Sequence, residues 1–237
     1  MEFRSALVLF AHPDDAEFMA GGTIARWCRD GTEVHYVVAT DGSAGSNEPD
    51  MTRELMRPIR KTEQEAAARV LGVKTVTFLG EVDGTLEVNL DTRRKVCREV
   101  RRVRPDVIMA PDPSRLWSGN RYINHWDHKA AGILALTVIM PDAPTRPMFP
   151  ELLEEGLEPY EVPHLWLSSN EPDTYVDVTD TMETKLASLR EHVSQGAADA
   201  EKWVRERARE LGLQAGCEYA EAFKVFRFID EDEEEQA

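Results

Sequence analysis

The stretch ALVLFAHPDDAEF at residues 6–18 decides the fold of this chain and points to its chemistry. It begins with six apolar residues and then places a histidine, a proline and two aspartates in one turn. A short apolar run that stops at turn residues is typical of a strand covered on both faces of a parallel sheet. Two adjacent carboxylates at the end of such a strand repel each other, so the stretch predicts a positive group among them.

Strand and helix patterns alternate after this stretch. Strand–helix alternation with right-handed crossovers predicts an α/β fold, with a Rossmann-like, mostly parallel sheet and helices on both faces. In the first half, the predicted strands are VHYVVAT (34–40), TVTFLG (75–80) and DVIMAP (106–111), and the predicted helices are residues 16–29, 52–71 and 91–104. In the second half, we predict strands at 164–169 and 174–179 and helices at 181–194 and 198–213.

The composition argues against several classes of partner. The 237 residues carry a net charge of −16, which disfavours nucleic acid and anionic membranes. No apolar run approaches the roughly 20 residues of a membrane span, and the N-terminus lacks the basic flank of a signal peptide. Three scattered cysteines indicate reduced thiols, so we expect a cytoplasmic protein. We predict one domain over residues 1–229, followed by an acidic, disordered tail at 230–237.

A second stretch, NRYINHWDHKAAGI at residues 120–133, changes how the first one is interpreted. It places His125, Asp127 and His128 at the start of another predicted helix. Ligands of an open parallel sheet bind at the carboxyl ends of its strands, where the turn at residues 12–15 is also expected. The two stretches are therefore predicted to meet at one edge of the sheet.

Together they fit a metal site. His12 and Asp15, three residues apart across a strand-to-helix turn, can point to one centre, and His128 can complete a His-Asp-His set. Such a set leaves one position of a zinc ion open, as in catalytic rather than structural sites. Another divalent metal such as Fe²⁺ is compatible with the same ligands. Asp14 is then left beside the metal, where it is predicted to act as general base.

The remaining two residues of the second motif receive supporting roles. His125 is predicted to stabilise a developing oxyanion or to give a proton to a leaving amine. Asp127 is predicted to hold the tautomer of that imidazole. Four alternatives stay open at this point. Asp14 or Asp15 can instead cap the first helix, the histidines can be structural, and the protein can be a non-catalytic sugar- or metal-binding module. A non-haem iron oxygenase also uses two histidines and a carboxylate, although usually on a β-rich barrel.

AHPDDAEF and NHWDHKAAG resemble the paired motifs of the PIG-L/LmbE-like family of zinc-dependent N-deacetylases. RKTEQEAAARVLGVKTVTFLGEVDG, residues 60–84, is similar to the family's R-x-x-E helix and the L-G…D segment that follows it. The resemblance implies an LmbE-like three-layer sandwich and the roles given above for the two motifs. It also implies substrate contacts from Arg60 and Asp83. The alternatives are a surface ion pair of Arg60 with Glu63 or Gln64, and a turn role for Asp83.

The resemblance implies a hydrolase that removes an N-acetyl or other short N-acyl group from a small amino sugar, such as an N-acetylglucosamine conjugate. An amidase acting on another N-acylated amine is the alternative, and a homo-oligomer is compatible with the family. The chain departs from the usual H-P-D-H motif, because Trp126 replaces the proline. Tyr122 stands one residue earlier than the tyrosine of some relatives. Whether Tyr122 or His192 reaches the site is left open, as are the sugar conjugate and the native metal.

Overall fold

The computed structural model describes residues 3–120 and 122–228, so the predicted tail at 230–237 lies outside the described residues. The strands are β1 (Ser5–Phe10), β2 (Glu33–Thr40), β3 (Thr75–Glu81), β4 (Val107–Pro111), β5 (Trp117–Ser118), β6 (Tyr122–Ile123), β7 (His164–Ser168), β8 (Thr174–Asp177) and β9 (Ala220–Arg227). The helices are α1 (Asp15–Arg29), α2 (Arg53–Leu71), α3 (Leu90–Val103), α4 (Trp126–Thr137), α5 (Glu151–Glu154), α6 (Met182–Arg190) and α7 (Glu201–Ala215). In this part of the chain, no helix has the length and apolar character needed to cross a membrane.

Seven of the strands form one sheet in the order β3-β2-β1-β4-β7-β9-β8. The first five run parallel, whereas β9 is antiparallel to both of its neighbours. The predicted α/β fold with a mostly parallel sheet is thereby confirmed. β9 was not predicted as a strand, because charged residues interrupt its apolar pattern. One of them, Glu221, is nevertheless buried, in an ion pair with Lys185.

Two apolar layers enclose the sheet. Along β1, Leu7 and Leu9 pack into the core on one face, while Ala6, Val8 and Phe10 pack into the core on the other. This alternation follows from the period of two in a strand. The near-continuous apolar run of the first stretch is explained because both faces of the strand are covered.

The fold creates a crevice between β1 and β4. These strands are neighbours, but the chain leaves β1 toward β2 on one side, and β4 pairs with β7 on the other. Such a reversal of strand order is where open α/β sheets bind ligands. The turn that follows β1 and the start of α4, which follows the β5–β6 hairpin, both lie at this place. The topology therefore brings the two motifs together.

Helix α1 lies close against α6 and the segment that precedes it because α1 carries two adjacent glycines. A Cβ atom at Gly22 would lie 2.7 Å from Cβ of Val178, and one at Gly21 would lie 3.0 Å from Cγ of Lys185. At Gly22 only glycine leaves room, whereas at Gly21 a Cβ atom would press against the Lys185 side chain. α6 is shorter than predicted: it ends at Arg190, and short 3₁₀ turns connect it to α7. This connection places His192 beside the first turn of α1.

Candidate active site

The turn between β1 and α1 presents its side chains in an unusual backbone conformation. Asp14 occupies the N-cap position of α1 with φ of 101°, and its side chain makes no capping hydrogen bond. Asp15 instead folds back, and its Oδ2 accepts from the backbone N–H of His12 at 2.8 Å. The structure therefore does not use Asp14 as a cap. Its carboxylate is left available for another purpose.

The predicted ligand atoms converge. Nδ1 of His12 lies 3.2 Å from Nε2 of His128 and 3.3 Å from Oδ2 of Asp15, and Oδ1 of Asp15 lies 3.0 Å from Nε2 of His128. Two zinc–nitrogen bonds of about 2.0–2.1 Å at a tetrahedral angle separate their nitrogens by about 3.3 Å. The spacing of the three side chains thus fits a small divalent metal with room for a further ligand.

Hydrogen bonds on the far side of each ring orient these histidines. Nδ1 of His128 lies 2.9 Å from Oδ1 of Asn124, an oxygen that only accepts, so the proton of His128 is on Nδ1 and its Nε2 lone pair faces the centre. Nε2 of His12 lies 3.2 Å from Oδ2 of Asp127 and 3.2 Å from Oδ1 of Asp83. Partners of this kind fix the tautomer of metal-binding histidines.

The electrostatics of the centre call for a cation. Burial alone would lower the pKa of His12, but the carboxylates of Asp15, Asp127 and Asp83 outweigh burial and raise that pKa to about 12. Without a metal, a proton on His12 thus supplies the positive charge that the first stretch predicted. His12, Asp15 and His128 form one group of side chains able to hold an ion, and His12, Asp83, His125 and Asp127 form another. The first fits better, because Asp127 already accepts from the backbone N–H groups of Gly84 and Leu86.

Helix α2 holds Asp14 from two sides. Gln64 accepts from the backbone N–H of Asp14 at 2.8 Å, and Nη2 of Arg60 lies 3.2 Å from the Asp14 carboxylate and also donates to the carbonyl of Pro13. Burial raises the pKa of Asp14 to about 7, with Arg60 opposing the shift and Asp15 adding to it. A carboxylate with a pKa near neutrality is suited to accept and return a proton.

His125 has a second function that the sequence analysis did not anticipate. It is the N-cap of α4, and its Nδ1 accepts from the backbone N–H of Asp127 at 3.1 Å. The proton of a neutral ring is therefore on Nε2. Burial lowers the pKa of His125, and the charge of His12 lowers it further, so the neutral form is favoured. The ring lies against His12, with 4.7 Å between the ring centroids.

The structure corrects the predicted partner of Asp127. Its carboxylate lies 4.0 Å from Nδ1 of His125 but 3.2 Å from Nε2 of His12, so it orients the imidazole of His12. The tautomer of His125 is held by the backbone instead. The reason is geometric: a residue two positions after an N-cap offers its N–H to the cap, while its side chain points toward the sheet.

Arg60 and Asp83 both lie at the site, but their side chains are buried and bound to other residues of the protein. Arg60 is 3% exposed and pairs with Asp14, so the surface ion pair with Glu63 or Gln64 is not formed. Asp83 is 6% exposed, contacts His12, and accepts from the N–H of Ala44 at 2.9 Å. Substrate contact by either residue stays a prediction. Tyr122 lies in the exposed β5–β6 hairpin, with 45% of its surface accessible.

Two residues of the site were missed. Asn124, one turn before His128, orients that ring, and Gln64, one turn after Arg60, binds Asp14. The spacing of four residues was visible in both cases. However, exposed and buried amides on a helix look alike in a sequence.

The model of the PIG-L family, described as GlcNAc-PI de-N-acetylase, matches residues 7–139, more than half of the chain. The chain belongs to the PIG-L family. It is 30% identical to diacetylchitobiose deacetylase of Thermococcus kodakarensis, over 94% of this chain and 83% of the relative. The solved N,N'-diacetylchitobiose deacetylase of Pyrococcus horikoshii has 33% identity and a TM-score of 0.87, covering 95% of this chain and 85% of that one.

A further relative catalyses a different reaction. The chain is 27% identical to 4-oxalmesaconate hydratase of Pseudomonas putida, over 79% of this chain and 72% of the relative. Similarity to relatives of this family is thus compatible with more than one reaction.

Proposed function

We propose that this protein is a metal-dependent N-deacetylase that removes an acetyl group from an N-acetylglucosamine conjugate. The observation that carries the proposal is the Asp14 carboxylate, which makes no capping bond and lies, paired with Arg60, beside three converging ligand side chains. A binding module has no need of it, and a capping residue would make the hydrogen bond that Asp14 lacks. The similarity to diacetylchitobiose deacetylases supports the amino sugar as substrate class.

The metal is proposed to be zinc, held by His12, Asp15 and His128. Two nitrogen ligands and one oxygen ligand at tetrahedral spacing suit zinc, and Fe²⁺ is the alternative. When bound, the ion polarises the amide carbonyl and lowers the pKa of water. Asp127 and Asn124 keep the two imidazoles turned toward the ion through their outer nitrogens.

The protein's own groups then divide the proton transfers. Asp14 takes a proton from the attacking water on a carboxylate oxygen, as the new carbon–oxygen bond forms. Nε2–H of His125 donates to the carbonyl oxygen as negative charge develops on it. The neutral state of His125 favours this role over that of an acid. Asp14 returns the proton to the departing nitrogen as the carbon–nitrogen bond breaks, which leaves acetate and a free amine.

The test is a hydrolysis assay on purified protein that has been stripped of metal with a chelator and reloaded with zinc. The substrates are N-acetylglucosamine, N,N'-diacetylchitobiose and an acetylated amine that is not a sugar. We expect acetate and free amine in equal amounts from at least one of the sugars, and none from the stripped protein. Hydrolysis of the non-sugar amide alone would favour the general amidase.

Two controls make the result decisive. His128→Ala is expected to lose stoichiometric zinc and activity together, and undiminished zinc in that variant would overturn the ligand assignment. Water addition to an unsaturated carboxylic acid, with no acetate from any amide, would place the protein with the hydratase relative instead.

A further inference from the structure

A second set of buried polar side chains lies behind the turn between β1 and α1, which carries Asp14. The proposed mechanism uses none of them. Glu17 on α1, Tyr36 on β2, Gln64 on α2 and His192 after α6 are each at most 1% exposed. Burying so many polar groups is unfavourable unless they hold one another or something else in place. Their arrangement indicates what they hold.

Two of these groups, Glu17 and Gln64, form a directed chain that ends at the proposed base. Nε2 of Gln64 donates to Oε1 of Glu17 at 2.9 Å, and Oε1 of Gln64 accepts from the N–H of Asp14 at 2.8 Å. Because Oε1 of Glu17 accepts this hydrogen bond, Glu17 selects the NH₂ end of the Gln64 amide. Turning that amide over would set its NH₂ against the N–H of Asp14 and its oxygen against Glu17. Glu17 therefore decides which way Gln64 points.

Asp14 depends on this support because of its backbone. Its φ of 101° lies in a region that residues with a side chain rarely adopt, and such a conformation persists only when the surroundings hold it. Gln64 holds the N–H of Asp14 while Arg60, one turn earlier on α2, holds its carboxylate. Without the Gln64 contact, only Arg60 would hold Asp14 in place.

His192 closes the chain from the other end. Its Nε2 lies 3.4 Å from Oε2 of Glu17, and neither atom has a hydrogen-bond partner among the described residues. The turn that carries His192 is anchored on α2, because the backbone N–H and the hydroxyl of Ser194 both donate to the carboxylate of Glu63, each at 2.7 Å. The imidazole of His192 is thus held against the carboxylate of Glu17.

We propose that Glu17 and His192 are positioning residues for Asp14, acting through the side-chain amide of Gln64. The proposal rests on the proposed function only in taking Asp14 as the base.

The central test compares two substitutions of Glu17. Glu17→Met keeps the length but accepts no hydrogen bond from Gln64, whereas Glu17→Gln still offers a carbonyl oxygen. A displacement of about 1 Å in a catalytic group lowers turnover about 10²-fold. We therefore expect Glu17→Met to lower kcat about 10- to 100-fold at parental KM and zinc content, and Glu17→Gln to restore most of the loss.

The matched control is Glu99→Met. Glu99 is also buried and accepts from Thr77, but it lies on α3, away from the Asp14 turn. The kcat of the Glu99→Met variant is expected to stay at the parental level. An equal loss in both Met variants would show that any buried glutamate matters, and would overturn the proposal. If Glu17→Met does not fold, Gln64→Met breaks the same chain from its other end.

A second measurement does not depend on substrate. Amide hydrogen exchange, followed by NMR, is expected to show Asp14 N–H protected in the parent and unprotected in Glu17→Met. If no parent substrate is found but this protection is lost, the positioning holds and the proposed function fails. If the parent hydrolyses the amide and Glu17→Met keeps both protection and kcat, the positioning is wrong.

The role of His192 is tested by a double-mutant cycle. His192→Leu is expected to lower kcat in the same direction, with little further loss when it is combined with Glu17→Met. Losses that multiply independently would remove His192 from the chain.

Discussion

The two helices that supply the site begin in opposite ways. At α1 the N-cap residue, Asp14, has φ of 101° and no side-chain cap. At α4 the N-cap residue, His125, has φ of −63°, and its ring accepts from the backbone N–H of Asp127. Both residues are proposed to act on the substrate, yet only one of them also stabilises its helix.

At α1 the residue proposed to act in catalysis does not stabilise the helix, whereas at α4 one residue does both. Asp14 has a strained backbone that contacts from α2 hold in place, and its carboxylate pairs with Arg60 instead of capping the helix. His125 has 44% of its side chain exposed, and its capping bond sets which nitrogen carries the proton. Substitutions at the two N-termini should therefore fail in different ways.

The largest effect is expected from Asp14→Asn. Asparagine keeps the size of the side chain but cannot accept the proton of water, so kcat should fall about 10²- to 10⁴-fold. The melting temperature should not fall, because no capping bond is lost and burial disfavours the charged Asp14 carboxylate more than Arg60 favours it. Steady-state kinetics at matched zinc content and a thermal melt check both parts. Near-parental turnover would remove Asp14 from the mechanism.

At α4, two substitutions of His125 separate the cap from the chemistry. Loss of an oxyanion donor typically lowers kcat about 10²- to 10³-fold, and we expect this of both His125→Asn and His125→Ala. Asparagine caps helices well, whereas alanine loses about 1 kcal/mol. Only the alanine variant should therefore melt lower, by about 2–4 °C. Equal melting temperatures would show that the capping bond contributes nothing.

The pH dependence of the stability of the metal-free protein tests whether His12, in the turn between β1 and α1, is charged. The pKa of His12 is raised to about 12, so folded protein keeps a proton that the unfolded chain releases above about pH 6.5. Its stabilisation is complete below that pH and declines as pH rises toward 12, by up to about 1.4 kcal/mol per unit. Melts of chelator-treated protein between about pH 7 and 9 should show the decline.

Asp14, zinc and a substitution of His12 each change this pH dependence in a predictable way. The raised pKa of Asp14, about 7, adds a decline in the same direction at lower pH, from its unfolded value upward to about 7. Zinc competes with the proton for His12, so its stabilising effect should grow with pH. His12→Asn should lack the decline above about pH 7. A metal-free parent whose stability is flat from about pH 7 to 9 would contradict the charged state of His12.

The smallest effect is expected at α3, which supplies a reference cap away from the site. Oδ1 of Asn89 accepts from the N–H groups of Asp91 and Thr92 at 2.9 and 3.1 Å. Asn89→Ala should cost about 1 kcal/mol with unchanged kcat. Thermal melts and kinetics compare it directly with His125→Ala. A drop in kcat here would mean that helix stability alone affects turnover.

Local pattern was enough to predict the sheet class and both motifs. Apolar runs of strand length and helical spacing are short-range properties, so β1 to β4 and the first three helices followed from them. Convergence of His12 with His128 also followed, because parallel strands deliver their carboxyl ends to one edge. The antiparallel strand β9 did not, since its burial arises from pairing with β7 and β8 rather than from its own pattern.

The sequence by itself thus determined which residue types meet at the edge of the sheet. Only the tertiary structure decided what each one contacts. Whether Asp14 caps α1, which imidazole Asp127 orients, and whether Gln64 reaches Asp14 all depend on side-chain directions set by packing across the fold. Asp14 and Gln64 are brought together by the packing of α2 against the α1 turn, a contact that no local pattern encodes. Hydrogen bonds between distant segments select one direction for each polar group, because a buried donor or acceptor without a partner is costly.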